Sequence, residues 1–260
     1  MLRNYFQHVD DVWKLSKDVQ FNTRVTSATF NDDEKPYWEL KTSDGQTHRC
    51  TWFIPATGTS FKQYIPTWEG IATFKGTIAH SSLWPDGLEL KGKRVGVIGA
   101  GSTGVQFTQD GSKVASQLTQ FIRTPNTALP MQQRQISKEE IRCSRDKYGH
   151  VFKACRGTGF GLPTVGLPFG TFDVSDEERE KIWDELWERG GFNWSLGGFP
   201  DTIVSKEANR VTYDYWVKRT RARMKDSRKR DLLAPLEPPY YLGTKRPSLE
   251  QGEFSSSPLV

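Results

Sequence analysis

The sequence predicts an α/β fold, and three observations carry that expectation. Residues 93–105 read Lys-Arg-Val-Gly-Val-Ile-Gly-Ala-Gly-Ser-Thr-Gly-Val, a short apolar strand running into a Gly99-x-Gly101-x-x-Gly104 turn that opens a helix. A second strand, Gln-Leu-Thr-Gln-Phe-Ile at 117–122, follows that helix, so strand, helix and strand come in order. Residues 19–54 alternate in period two and residues 130–231 are spaced for helices, which adds a β-meander on one side and a helical stretch on the other. The arrangement is that of a Rossmann-type dinucleotide-binding unit. Gly99 permits the tight turn, Gly101 lets a pyrophosphate approach the backbone, and Gly104 lets the helix pack on its strand. The first helical turn, at Ser102 and Thr103, offers N–H groups and the positive end of the helix dipole to phosphates.

The end of the second strand carries the choice of nucleotide. A free ribose 2′-OH is usually met by Asp or Glu about 20 residues past the glycines. Here Arg123 stands 22 positions beyond Gly101 with Thr124 after it and no acid beside it. A guanidinium there suits a 2′-phosphate through a bidentate, charge-assisted contact, which points to NADP over NAD. The competing reading is an ordinary surface arginine.

Composition narrows the class. With 260 residues, 12% aromatic content and nine Trp, the chain has ample material for a core and is not of a disordered type. The mean hydropathy is −0.64 and the pI is near 9.0. A net charge of +5 suits anionic cofactors, but without a recognition motif it does not imply nucleic acid. No apolar run reaches membrane-spanning length and the first residues are no signal peptide. Cys50, Cys143 and Cys155 form no C-x-x-C pair and read as reduced thiols of a cytoplasmic protein, with no metal site expected.

In chain order, residues 4–14 have helical spacing through Tyr5, Val9, Val12 and Trp13. Strands are expected over 19–30, 37–42 and 47–54, the last two joined at Asp44-Gly45, a dipeptide that favours a primed turn. The third strand runs into Ala56-Thr57-Gly58, small residues that let the chain pass close to a ligand. Residues 74–86 are loop-like. His80 within them reads as a structural histidine, though its side-chain type titrates near neutrality. Ser175 and Glu178 form a capping box before the stripe Ile182, Trp183, Leu186 and Trp187, which reads as core, with a substrate pocket as the alternative. Residues 157–170 form a Gly/Pro-rich loop. Residues 218–230 are strongly basic; a solvated helix face is expected there rather than nucleic-acid binding. Pro235, Pro238 and Pro239 end that helix, and residues 240–247 return toward the sheet.

Phe74-x-Gly76-x-x-x-His80-x-x-x-Trp84-Pro85 resembles the fingerprint of the Baeyer–Villiger monooxygenases, the cyclohexanone and phenylacetone monooxygenase family. Ala56-Thr57-Gly58, the glycine turn, the stretch 121–126 and Gly243-Thr-Lys-Arg-Pro247 also match in order, so the resemblance spans about residues 4–250. It implies an FAD- and NADPH-dependent enzyme that inserts one oxygen from O2 beside a ketone carbonyl, giving an ester or lactone, with a ketone of secondary metabolism as the expected substrate. It also implies the domain plan. Residues 1–70 would be part of an FAD-binding domain, 71–128 the first part of an NADPH-binding domain, 129–231 a helical insertion, and 232–260 the return and tail. Arg123, Thr124 and Lys245 would hold the NADPH 2′-phosphate, and Gly99, Gly101 and Gly104 its pyrophosphate. Ala56, Thr57 and Gly58 would lie beside the cofactors. Arg246 matches the family's active-site arginine, and His80 the fingerprint histidine, which couples linker and domain movement.

The sequence also departs from the family pattern. The family's first glycine turn, which serves FAD, would lie upstream of residue 4, and after Pro247 the chain no longer follows the family. The expectation is an internal piece of such an enzyme. A flavin-free NADPH-binding or regulatory protein is the alternative, and a basic interaction protein acting through residues 218–230 is a third reading.

Overall fold

Period-two alternation in the N-terminal segment folds into an antiparallel three-stranded sheet, β1 (Val25–Asn31), β2 (Tyr37–Thr42) and β3 (Thr47–Cys50), in that spatial order. Cross-strand neighbours Phe30 and Trp38 stack with ring centroids 5.3 Å apart, and Phe53 joins Trp38 at 5.5 Å. Such same-face aromatic pairs are the local unit of sheet stability. Ahead of the sheet lies helix α1 (Leu2–Trp13), none of whose side chains is buried. The structure is a computed structural model describing residues 2–58, 60 and 62–251, so the expected tail beyond 251 lies outside the described residues. By contact density the chain divides into two units, Met1–Leu83 and Trp84 onward. No helix among the described residues is long and apolar enough to cross a membrane.

Three expectations for the first unit are corrected. The first strand starts at Val25 and not Val19, because residues 15–18 form a 3-10 turn and Asn22 takes a left-handed φ of 55°. The third strand stops at Cys50 and not Ile54. Cys50 already faces Trp38, the second residue of β2, so later residues have almost no strand left to pair with. The Asp44-Gly45 turn is not primed. Gly45 has φ 83°, but Asp44 is not among the residues with positive φ. Its carboxylate accepts the Thr42 hydroxyl at 2.5 Å, and the result is a three-residue loop with glycine in the left-handed position.

In the second unit the predicted strand–helix–strand is present. Strand β4 (Arg94–Ile98) leads to α2 (Ser102–Gly111) and then β5 (Gln117–Phe121). The strands are parallel, in register from Arg94↔Gln117 to Ile98↔Phe121. Val97, Val105 and Leu118, one from each element, are buried and fasten the helix to the pair. A second parallel pair joins β6 (Ala128–Pro130) to β7 (Ser248–Glu250). The chain between them forms helices α3 (Lys138–Arg145), α4 (Tyr148–Arg156), α5 (Asp176–Arg189), α6 (Asn193–Leu196), α7 (Lys206–Ala222) and α8 (Ser227–Leu233).

The tryptophan stripe of α5 is core. Trp183, Leu186 and Trp187 are buried with Trp194, Tyr215 and Trp216; Trp183 and Tyr215 lie 5.0 Å apart, and Trp194 stacks on Tyr215 at 6.0 Å. Trp216 donates its indole N–H to the Ala128 carbonyl at 2.9 Å, tying α7 to β6. Ser175 caps α5 by accepting the Glu178 N–H at 3.2 Å. A full reciprocal box, not singled out from the sequence, starts α3 at Ser137 and Glu140.

The basic segment is a further correction, since it is not one helix, and half of its cations are engaged in ion pairs while Lys218, Lys225 and Arg228 stay exposed to solvent. Helix α7 stops at Ala222, and Asp226 starts α8 by accepting the N–H groups of Arg228 and Lys229. Four of the cations are paired: Lys218 with Glu180, Arg219 with Asp184 at 2.9 Å and Glu188 at 2.6 Å, Arg221 with Asp231 at 2.8 Å, and Arg223 with the fully buried Glu250 at 2.5 Å. Acidic residues scattered along α5 and beyond meet them only on folding.

Candidate nucleotide-binding site

The glycine turn is built for close approach. Gly99 has φ 111°, which side chains rarely adopt, and its N–H donates to the Phe121 carbonyl at 2.9 Å. A Cβ at Gly104 would collide with the Gly99 carbonyl oxygen, so the helix meets the turn only because position 104 has none. Gly101 caps α2 with extended backbone, φ −71° and ψ 176°, and with no side-chain cap. The amides at the start of α2, at Ser102, Thr103 and Gly104, therefore point out of the helix without an intrahelical carbonyl. Gly101, Ser102 and Thr103 are exposed, so those amides can meet a ligand's phosphates.

Arg123 stands at the same edge. Phe121 ends β5 opposite Ile98, the residue before Gly99, so Arg123 and Thr124 leave the sheet beside the glycine turn. Ligands of open parallel sheets bind at this carboxyl edge. The segment with Lys245 and Arg246 is brought to the same place from far along the chain. Asn126 donates to the Arg246 carbonyl at 3.5 Å and accepts the Ser248 N–H at 3.0 Å. The Ser248 hydroxyl lies 3.2 Å from that of Ser102, on the first turn of α2. Tyr240 bonds to Pro125 and Thr127, and its ring carries the Lys245 ammonium 4.5 Å from the centroid. The glycine turn, the Arg123 loop and the Lys245–Arg246 segment are thus tied together, with Arg123, Lys245 and Arg246 all exposed. Three cations and a helix N-terminus make this edge attractive to a polyanion.

The fingerprint residues fall on both sides of the unit break, and each part is self-contained. In the first unit the Phe74 ring lies over Gly76, where a Cβ would sit 2.6 Å from it. His80 faces its own turn. Its Nδ1 accepts the Ser82 N–H at 3.2 Å and lies 2.8 Å from the Ser82 hydroxyl. An amide can only donate, so a neutral ring carries its proton on Nε2. Ala56, Thr57 and Gly58 are exposed and irregular, Gly58 with φ 74°. In the second unit Trp84 packs on Phe107 of α2 at 5.4 Å and donates to the Leu88 carbonyl at 3.3 Å. The tryptophan of the fingerprint thereby braces the helix that the glycine turn opens.

A cavity of about 250 Å³ lies elsewhere, where α5 and α7 meet the β6–β7 pair, with Trp187, Arg219, Arg223 and Glu250 in its wall. Its charged groups are already paired with each other or with neighbours, so it is a seam between elements and not the place where the predicted residues converge. Reading the sequence singled out Arg123, Lys245 and the glycines but not Asn126, Tyr240 or Ser248. The only local signal was that Asn126 closes the matched stretch 121–126 and Tyr240 lies just before 243–247.

Comparison with known proteins bears on the family and the fold. The family model described as flavin-binding monooxygenase-like matches residues 1–134. The chain is 42% identical over 250 residues to the FAD-binding monooxygenase acrE of Aspergillus aculeatus, covering 96% of this chain and 42% of that protein. It is 39% identical over 252 residues to cyclopentanone 1,2-monooxygenase of a Comamonas species, covering 96% and 46%. Among solved structures, that of OTEMO in complex with FAD and NADP superposes with a TM-score of 0.90 at 33% identity, covering 97% of this chain and 48% of that one. The expected Baeyer–Villiger resemblance and the Rossmann-type α/β fold are both borne out. The chain spans about half the length of the relatives it matches.

Proposed function

The chain belongs to the flavin-binding monooxygenase-like family, and from that premise we propose that it carries the NADPH-handling part of a Baeyer–Villiger monooxygenase that also uses FAD and O2 and acts on a ketone. The observation that carries this reading is the convergence of an uncapped helix N-terminus with Arg123 and the tied Lys245–Arg246 segment at one sheet edge. The fit to a phosphorylated nicotinamide nucleotide is chemical. Gly104 leaves the space a pyrophosphate-binding turn requires, and the edge carries cations where an NAD site would carry an acid.

Bound NADPH and FAD supply the reducing equivalents and the oxygen chemistry that sets one oxygen beside the carbonyl. The protein's own work is to hold and orient. The amides of Ser102, Thr103 and Gly104 take the pyrophosphate, with Gly99 and Gly101 keeping side chains out of its way. Arg123 and Lys245 neutralise the 2′-phosphate and Thr124 donates a hydroxyl to it. Arg246 keeps a permanent positive charge for an oxyanion developing at the substrate. His80 holds the turn of residues 80–83 that leads into Trp84, and Ala56, Thr57 and Gly58 lie on the FAD side. The phosphate-binding groups all belong to the unit that begins at Trp84, which also supports the alternative of NADPH binding without flavin.

Calorimetric titration of the 260-residue protein with NADPH and NADH tests the reading. Micromolar NADPH affinity is expected, with Arg123→Ala weakening NADPH by about 10- to 100-fold, the worth of one charged hydrogen-bonding group, and leaving NADH unchanged. A parent protein that binds no NADPH overturns it. In a form that turns over, Arg246→Ala should still oxidise NADPH while ester formation falls by ~10²–10³, as on loss of an oxyanion donor; undiminished ester formation removes Arg246 from the chemistry.

A further inference from the structure

Tyr240 lies on the segment that carries Lys245 and reaches across to the loop that carries Arg123. Its hydroxyl accepts the Thr127 N–H at 2.9 Å, lies 3.0 Å from the Thr127 hydroxyl, and donates to the Pro125 carbonyl at 3.1 Å. Its ring face carries the Lys245 ammonium 4.5 Å from the centroid. Pro125 directly follows Thr124, so the hydroxyl grips the loop that presents Arg123 and Thr124, while the ring seats the Lys245 cation of its own segment. A phenol has one proton to give and lone pairs to receive; both functions are in use. Thr127 is 6% exposed, so little water reaches that end of the ring to replace the bonds.

We propose that Tyr240 is a positioning residue for recognition of the 2′-phosphate, setting the spacing between Arg123 and Lys245 and thereby the preference for NADPH over NADH. The inference rests on the NADPH reading above and deepens it. A lysine on an exposed loop has many rotamers to lose when it meets a phosphate. Seating its ammonium on a ring face removes much of that loss beforehand. The ring is a weak, neutral partner and yields the cation to a phosphate, whereas a carboxylate in its place would hold it back. Fixing Pro125 and Thr127 restricts the arginine loop in the same way. Adenine, ribose and pyrophosphate do not depend on this spacing, so only the phosphorylated nucleotide should feel its loss.

Tyr240→Phe keeps the ring and removes the hydroxyl bonds; Tyr240→Leu removes both. In calorimetric titrations of the 260-residue protein, Tyr240→Phe should weaken NADPH roughly 5-fold, no more than one net hydrogen bond is worth, because the lost bonds restrain the loop and none of them touches the ligand. Tyr240→Leu should weaken it roughly 10- to 30-fold, adding the lost cation–π seat. NADH affinity should stay within about twofold in both, the size of an ordinary surface change. Lys245→Ala made on the Tyr240→Leu background should cost less than on the parent, because the two side chains act through one contact. If both variants weaken NADPH and NADH in parallel, Tyr240 only supports the fold and the inference is overturned. It is overturned equally if neither variant changes the NADPH-to-NADH ratio of a parent that discriminates. A parent that does not prefer NADPH at all removes the nucleotide reading first and this inference with it.

Discussion

Trp52 and Trp216 are the same side chain in opposite circumstances, and each typifies its unit. Trp52 is 85% exposed, whereas Trp216 is 1% exposed and hydrogen-bonded to the Ala128 carbonyl. In the first unit the buried set among the described residues is Thr42 alone, while Ile54, Tyr64 and Phe21 stand in the open. The second unit buries an aromatic cluster between α5, α6 and α7 and docks it on β6. Both segments are rich in apolar residues with regular spacing. The difference is that the described residues of the first unit form a single sheet layer, whereas the helices of the second unit pack on one another and on a strand pair. Periodicity marks an apolar face; only a second layer turns that face into a core.

The largest effect that would sharpen the comparison is at Trp216. Trp216→Ala should destabilise the second unit by about 3–5 kcal/mol, the usual cost of deleting a large buried aromatic, measured by urea unfolding followed through fluorescence. Trp52→Ser should change stability by no more than about 0.5 kcal/mol, as for an exposed site, while lowering binding of an apolar dye. Equal losses at the two positions would break the contrast and show that Trp52 is packed in solution.

The smallest expected effect is electrostatic and local. Hydrogen bonding to Arg134, with further help from the Ser137 backbone N–H, holds the Glu140 carboxyl at about 2 against an ordinary 4.5. A carboxylate with a depressed folded-state value contributes stability above its unfolded value and loses that contribution as pH falls through the folded one. Helix α3 should therefore keep the Glu140 half of its capping box at pH 5 and lose it between about pH 4.5 and pH 2, visible as an NMR titration of Glu140, while the Ser137 hydroxyl cap stays. Ser137→Ala should move that titration upward. A Glu140 titration centred at its ordinary value would mean that the Arg134–Glu140 pair does not persist in solution.

The parts of the site legible in the sequence are those whose physics is local. Gly99, Gly101 and Gly104 declare a tight strand-to-helix turn because backbone conformation and helix packing depend on a few successive residues, and Arg123 could be placed at the strand end by its distance from them along one strand–helix–strand unit. The basic run at 218–230 misled for the converse reason. Its partners Glu180, Asp184 and Glu188 lie more than thirty positions away on α5, so composition showed the charge and not its neutralisation. The strand ends at Val25 and Cys50 were set by a left-handed Asn22 and by the length of the neighbouring strand, neither of which alternation reports.

By itself the sequence determined the class of fold, the glycine turn that opens α2 and the presence of a cation in place of an acid at the strand end. Each of these follows from backbone conformation and charge within a few dozen residues. Only the tertiary structure decided that Tyr240 reaches Thr127 across 113 positions, Asn126 reaches Ser248 across 122, and Ser248 reaches Ser102 across 146. Hydrogen bonds of this kind act over about 3 Å of space and leave no trace in spacing along the chain. The residues that tie this edge together therefore became visible only once the chain had closed on itself.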